Sequence, residues 1–161
     1  MINVKYQRMT SRWQFNNRKM GKETRQSTSD EELLYLLGIC QWVFNSNCGF
    51  IIEMIDKEHH DNSNKPWHTL IELTAGQLKD YENKIIEIMG DDIYNLFDKL
   101  VTKRNSIIHS LPTGEKVDDY VIPIYRNDSK GINIKIDKEY LREFIKKNEE
   151  LSDLIYKFRG Y

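Results

Sequence analysis

With 161 residues, 39% of them hydrophobic and 30% charged, the chain has the size and make-up of one globular domain with a single core. The net charge is only −1, and no run of eighteen apolar residues is present, which excludes a membrane span by that count. The opening MINVKYQRMTSRW carries charges without an apolar stretch behind them, so it is not a secretory signal. Cys40 and Cys48 fall on one predicted helix, too far apart to bridge within a chain and outside any CxxC pattern. They read as reduced thiols of a cytoplasmic protein.

Charge is unevenly spread. Lys5, Arg8, Arg12, Arg18, Lys19, Lys22 and Arg25 face Glu23 alone, a surplus of +6, which leaves −7 for the rest of the chain. We therefore divide the chain into a basic N-terminal arm over 1–28 and a helical domain over 29–161. An arm of this kind suits a polyanion or an acidic partner surface; the plainer reading is a solvated tail. Trp13 and Phe15 within it favour some ordering.

Ser29-Asp30-Glu31-Glu32 is a capping-box signature, in which the serine oxygen takes an orphan helix N–H and Glu32 reaches back. It opens a long helix with Leu33, Leu34, Leu37, Cys40, Val43, Phe44, Phe50, Ile51 and Ile55 on its apolar side. Gly49 inside it marks a kink or a close approach. The helix fades near His60, where Asp61-Asn62-Ser63-Asn64-Lys65-Pro66 supplies a polar loop. Thr74 and Gln77 repeat the capping box for a second helix through Leu78, Tyr81, Ile85, Ile86 and Met89. Gly90 ends it, and Asp91 or Asp92 caps a third helix that runs to Pro112-Thr113-Gly114. Two β-prone runs follow, Tyr120–Tyr125 and Ile132–Ile136, joined by a turn; Pro123 confines the first to a sheet edge. Asp137 caps a final helix. The expected class is all-α: a four-helix up-and-down bundle with a small β-hairpin insertion before the last helix and a basic N-terminal arm.

The third helix carries the chemistry. Positions 93, 97, 100, 104, 107 and 111 alternate steps of four and three, and all but Arg104 are apolar. An arginine on a core-facing stripe needs paired acceptors, or marks where the stripe leaves the core for a subunit interface. Asp98, Thr102, Asn105 and His109 form a polar line beside it, so the Asn105 amide is placed to fix the His109 imidazole. Arg104 and His109 lie roughly 140° apart around the helix and flank one groove. A guanidinium to hold a phosphate and an imidazole to move a proton are sufficient for cutting a phosphodiester without a metal. The spacing alone is weak, because eight arginines and four histidines produce it by chance in about one such sequence of two. A histidine at a helix end also commonly serves as a C-cap.

Arg104-Asn105-Ser106-Ile107-Ile108-His109 resembles the R-x(4–6)-H motif of the HEPN superfamily, with a polar residue after the arginine, and the helical layout from Ser29 to Phe158 resembles that family as well. The resemblance implies a metal-independent endoribonuclease acting as a homodimer with a composite active site and no cofactor. It implies that Arg104 binds the scissile phosphate, that His109 is general acid or base, and that Asn105 positions His109 or the substrate. The products would be a 2′,3′-cyclic phosphate and a 5′-hydroxyl, from single-stranded RNA and not from DNA. Toxin and anti-phage defence roles, with an antitoxin or defence-system partner and no membrane, are common in the family. A tyrosine two residues after the histidine, modified in some members, is here Leu111, so that modification is not expected.

Lys99, Lys103, Arg126 and Lys130, with Lys116, are candidates for an RNA-binding rim, diluted by Glu115, Asp118 and Asp119. Glu58-His59-His60-Asp61, with His68 beyond, looks metal-like, but adjacent histidines diverge by roughly 100° on a helix and no HExxH completes a site; the expectation is no metal. The rival reading is a non-catalytic helical dimer that binds RNA or a protein partner and uses Arg104 only at its interface.

Overall fold

The computed structural model describes residues 30–58, 67–117, 120–127 and 130–161. The basic arm, Ser29 and the His59-His60-Asp61 cluster lie outside the described residues. In chain order the elements are α1 (Glu31–Glu58), α2 (Trp67–Ile71), α3 (Ala75–Lys79), α4 (Glu82–Met89), α5 (Asp91–Ile108), β1 (Leu111–Val117), β2 (Tyr120–Asn127), β3 (Ile132–Lys135) and α6 (Lys138–Phe158). The described chain is mostly helical, with one small antiparallel sheet of order β1-β2-β3.

Asp30 caps α1: its Oδ1 accepts the Leu33 N–H at 2.8 Å, and the expected Ser29 cap lies outside the described residues. Glu32 has its described partners elsewhere. It turns to Lys138 and Arg142 of α6, which offer a carboxylate two full charges instead of one amide. Leu33, Leu36, Cys40, Phe44, Ile51 and Ile55 form the buried stripe, whereas Leu34 is 39% exposed. A Cβ at Gly49 would meet nothing within 4 Å, so this glycine marks no close approach, and α1 runs through it unbroken. By length and composition Glu31–Lys57 passes a looser test for a membrane-crossing helix, at a mean hydropathy of 1.2. Of the 18-residue window with that hydropathy, 33% is buried in the fold, the stripe that packs in the core.

The pairing of α1 with α6 sets the architecture. Cys40 lies against Leu141, Asn47 against Asn148, and Glu53 against Arg159, so residue numbers rise together along both helices and the two run parallel. An up-and-down bundle places its first and last helices antiparallel, so that expectation is corrected. Lys103 of α5 meets Glu143 of α6 near the end of one helix and the start of the other, which makes α5 and α6 antiparallel. The sheet lies between these two helix ends and carries the chain from one to the other.

At the α1–α6 seam two fully buried asparagines interlock. Asn47 Nδ2 donates to the Asn148 carbonyl at 2.9 Å and to Asn148 Oδ1 at 3.2 Å, while Ser152 Oγ donates to Asn47 Oδ1 at 2.7 Å. Asn148 Nδ2 in turn donates to the Phe144 carbonyl at 2.9 Å. Every polar group in the cluster gains a partner, which is what makes burying it tolerable.

Thr74 and Gln77 form the expected capping box. The helix they open is interrupted at Asp80–Tyr81, where the Tyr81 N–H bonds Leu78 one residue closer than α-helical spacing, and α4 resumes with Ile85 and Met89 buried. Gly90 joins α4 to α5 at φ 89° and ψ 164°, a region open essentially to glycine alone. It occupies the N-cap place expected for Asp91 or Asp92; both aspartates lie in the first turn of α5, where the helix dipole favours them.

The insertion is three-stranded, not a hairpin. Leu111–Val117, expected to be only a helix break, pairs with β2. Pro123 is consequently on the central strand. Its carbonyl accepts from Ile136, so its missing N–H faces the end of β3, and its opposite number across the other ladder is Pro112. Both prolines stand where that ladder needs no N–H, which is why the strand tolerates them. Ile122, Ile124 and Ile136 are buried and fasten the sheet to the helices.

Two substitutions test these constraints by chemical denaturation. Asn47→Ala strands Asn148 Oδ1 and the Ser152 hydroxyl and should cost about 3 kcal/mol. Gly90→Ala should cost about 2 kcal/mol through backbone strain, since nothing crowds the added methyl.

Candidate functional site

Helix α5 is held by Ile93, Phe97, Leu100 and Ile107 in the core, and this stripe orients the motif at its C-terminal end. Arg104, on the same stripe, is half-buried. Its guanidinium carbon lies 6.0 Å from the centre of the Phe44 ring, and Nη1 donates to Asn105 Oδ1 at 3.3 Å. Nε is buried and has no hydrogen-bond partner among the described residues. A buried, charged donor without an acceptor is costly and is uncommon in folded proteins.

Asn105 therefore serves the arginine, not the histidine. His109 is the C-cap of α5 at φ −95° and ψ 9°, and only its backbone N–H reaches Asn105, at the carbonyl, 3.0 Å away. Because His109 has left helical angles, the expected side-chain line from Asn105 is broken there. The helix end is closed by Ser110, whose Oγ donates to the Ile107 carbonyl at 2.7 Å. His109 is exposed, between Ile108 at 47% and Leu111 at 68% exposure. Leu111, expected on the buried stripe, instead starts β1 at the surface.

An open groove of about 250 Å³ runs beside the arginine. From α1 come Leu37, Cys40 and Gln41; from α5 come Arg104, Ile107 and Ile108; Phe144 of α6 completes it. Gln41 Nε2 is committed to Asn45 Oδ1 at 2.8 Å. The α1 contribution was invisible in the sequence, since a leucine and a glutamine four apart on a long helix carry no signal of their own.

The cationic rim is thinner than expected. Lys103 donates to Glu143 Oε1 at 2.7 Å and lies 5.5 Å from the Tyr140 ring centre, while its hydrogen bond and its charge hold the Glu143 carboxyl below the usual range. Lys99, one turn earlier, is exposed. Arg126 on β2 and Lys130 before β3 are exposed as well, but neither bonds to the motif among the described residues. The side chain of Lys116 lies outside what the structure describes. Asp98 of the polar line is paired with Lys79 of α3. Among the described residues no group of three or more His, Cys, Asp or Glu is placed to hold a metal.

No family model matches the chain, and no curated protein or solved structure is detectably similar to it.

Cys40 and Cys48 are free, and both lie on α1 near the arginine. Burial pushes both thiols up to about 12; at Cys48 the Arg104 charge opposes that rise. A raised thiol stays protonated until the pH approaches that value, and the thiolate is the reactive form. At pH 8 both should react with iodoacetamide at least about a hundredfold more slowly in the native protein than in denaturant, as read by mass spectrometry of the two peptides.

Proposed function

We propose that the protein is a metal-independent endoribonuclease of the HEPN kind, in which α1, α4, α5 and α6 are the four core helices. The observation that carries the reading is Arg104: a half-buried guanidinium beside an open groove, with a buried N–H still lacking an acceptor. A phosphate oxygen supplies the missing acceptor and the missing charge together. His109, exposed one turn further along the same chain segment, supplies the proton-transfer group. The parallel course of α1 and α6 departs from the bundle order that the resemblance implies, so the reading rests on the site and not on topology.

In this mechanism the ribose 2′-oxygen gives its proton to one imidazole and attacks phosphorus. The bond to the 5′-oxygen breaks, and that oxygen takes a proton from a second imidazole, leaving a 2′,3′-cyclic phosphate and a 5′-hydroxyl. Two proton transfers ask for two such groups, and the motif offers one histidine per chain. A homodimer with a composite site meets that need, and the exposed Leu111 beside His109 is suited to the contact. Arg104 stabilises charge on the phosphate, with Asn105 holding the guanidinium in place. Lys99, Arg126 and Lys130 extend the positive field for RNA, and a toxin or anti-phage role with an antitoxin or defence partner follows from the resemblance.

The exposed Tyr35 and Trp42 on α1, at 59% and 78%, favour the second reading, a helical dimer that binds RNA or a protein without cutting. Labelled single-stranded RNA incubated in EDTA separates the two. Cleavage to cyclic-phosphate ends is expected, with DNA spared; His109→Ala and Arg104→Ala should each lose about a hundredfold or more. Equal cleavage by parent and variants, or a strict need for a divalent metal, refutes the nuclease reading.

A further inference from the structure

Resting on the nuclease reading, we infer that the groove between α1 and α5 is a base pocket: it takes the base of the nucleotide on the 5′ side of the scissile phosphate and favours a base bearing an exocyclic amine. Size is the first argument. Pockets for drug-sized ligands run from about 300 to 1,000 Å³. At about 250 Å³ this groove suits a single planar ring system better than a whole nucleotide. Lining is the second. Leu37, Ile107, Ile108 and Phe144 give it apolar walls on which the face of a base packs, the usual way an unpaired RNA base is held. Charge is the third. Arg104 lines the groove, so a base seated there brings its own phosphate toward the guanidinium whose Nε–H is unpaired. An uncharged apolar ligand would leave that donor unsatisfied.

Gln41 sets the preference. It is the one polar residue besides Arg104 lining the groove apart from the Cys40 thiol, which is already turned to the Leu141 carbonyl at 3.6 Å. With one Nε2 hydrogen donating to Asn45, Gln41 keeps Oε1 as its acceptor, and turning the amide over to present nitrogen in its place would break that bond. Adenine and cytosine present an amine on the Watson–Crick edge where uracil presents a carbonyl. Uracil is therefore the base the pocket should reject, because two acceptors would face each other.

The test uses the intact chain and four oligodeoxynucleotides, each with a single ribonucleotide carrying A, C, G or U, so that only one bond has a neighbouring 2′-hydroxyl. Wild-type kcat/KM should be about tenfold lower for uridine than for adenosine or cytidine. Gln41→Leu should bring the four rates together. Ile108→Trp, which fills the groove from a surface position, should raise KM about tenfold for all four. A separate titration with adenosine 3′-monophosphate, which carries its phosphate where the scissile one lies, should show binding to wild type that is weakened about tenfold by Ile108→Trp. Cleavage without base preference, or a preference unchanged in both variants, overturns the pocket and leaves the nuclease reading intact. Absence of cleavage on every substrate, with nucleotide binding still sensitive to Ile108→Trp, sinks the nuclease reading and keeps the pocket. Absence of nucleotide binding by the wild-type protein counts against the pocket whatever the cleavage result.

Discussion

Two asparagines and a serine, closed on one another in the seam between α1 and α6, decide how the rest of the molecule is arranged. Apolar contact between two helices is tolerant of sliding, because one leucine can replace another against the same surface. The Asn47–Asn148–Ser152 cluster is not tolerant: moving either helix by one turn would leave the buried Asn47 side chain and Asn148 Oδ1 without partners. It thus fixes direction as well as register. With α1 and α6 locked in parallel, the start of α6 is tied to Asp30 and Glu32 through Lys138, and its far end to Glu53 through Arg159. These outer pairs are solvent-screened and secondary to the buried cluster.

Phe44 passes that alignment on to the candidate site. Its ring stacks on Phe97 of α5, leans on Phe144 of α6 and lies beneath the Arg104 guanidinium. Three helices therefore meet at one aromatic residue, and the arginine rests on it. Such a base holds the cation at a set depth, where the local environment strengthens its field and makes its unpaired N–H costly. Folding alone gives no reason to keep an arginine there; a leucine would pack the stripe without that cost. Binding an anion would offset it. The histidine is treated in the opposite way. It stands at the surface where the helix has ended, free to face another chain or a substrate.

Much of the secondary structure is legible in the residues. Thr74 with Gln77, Gly90 and Asp137 declare helix ends through local chemistry, and the structure has ends at all three. Misreadings cluster where a distant partner intervened. Glu32, read locally as part of a cap, pairs with Lys138 and Arg142 from the other end of the chain. Leu111–Val117 contains a proline and a glycine and looks like a loop; only the ladder with β2 makes it a strand. Pro123 is tolerated on the central strand because its backbone polar groups face away from β1, at a pair with Pro112 that needs no N–H, which no count of propensities along one segment can reveal.

By itself the sequence determined the helical class, the placing of the motif at the end of one long amphipathic helix, and the conspicuous arginine on its apolar stripe. These follow from spacing within a few turns, where periodicity and capping act. Tertiary structure alone decided that α1 and α6 run parallel, that Asn105 holds Arg104 instead of His109, and that Leu37 and Gln41 build a groove beside the arginine. The first and last of these depend on contacts between residues some sixty to a hundred positions apart, and the second on where the end of α5 leaves helical geometry. A buried hydrogen bond of that reach has no local signature, because its value lies in the partner that folding brings to it.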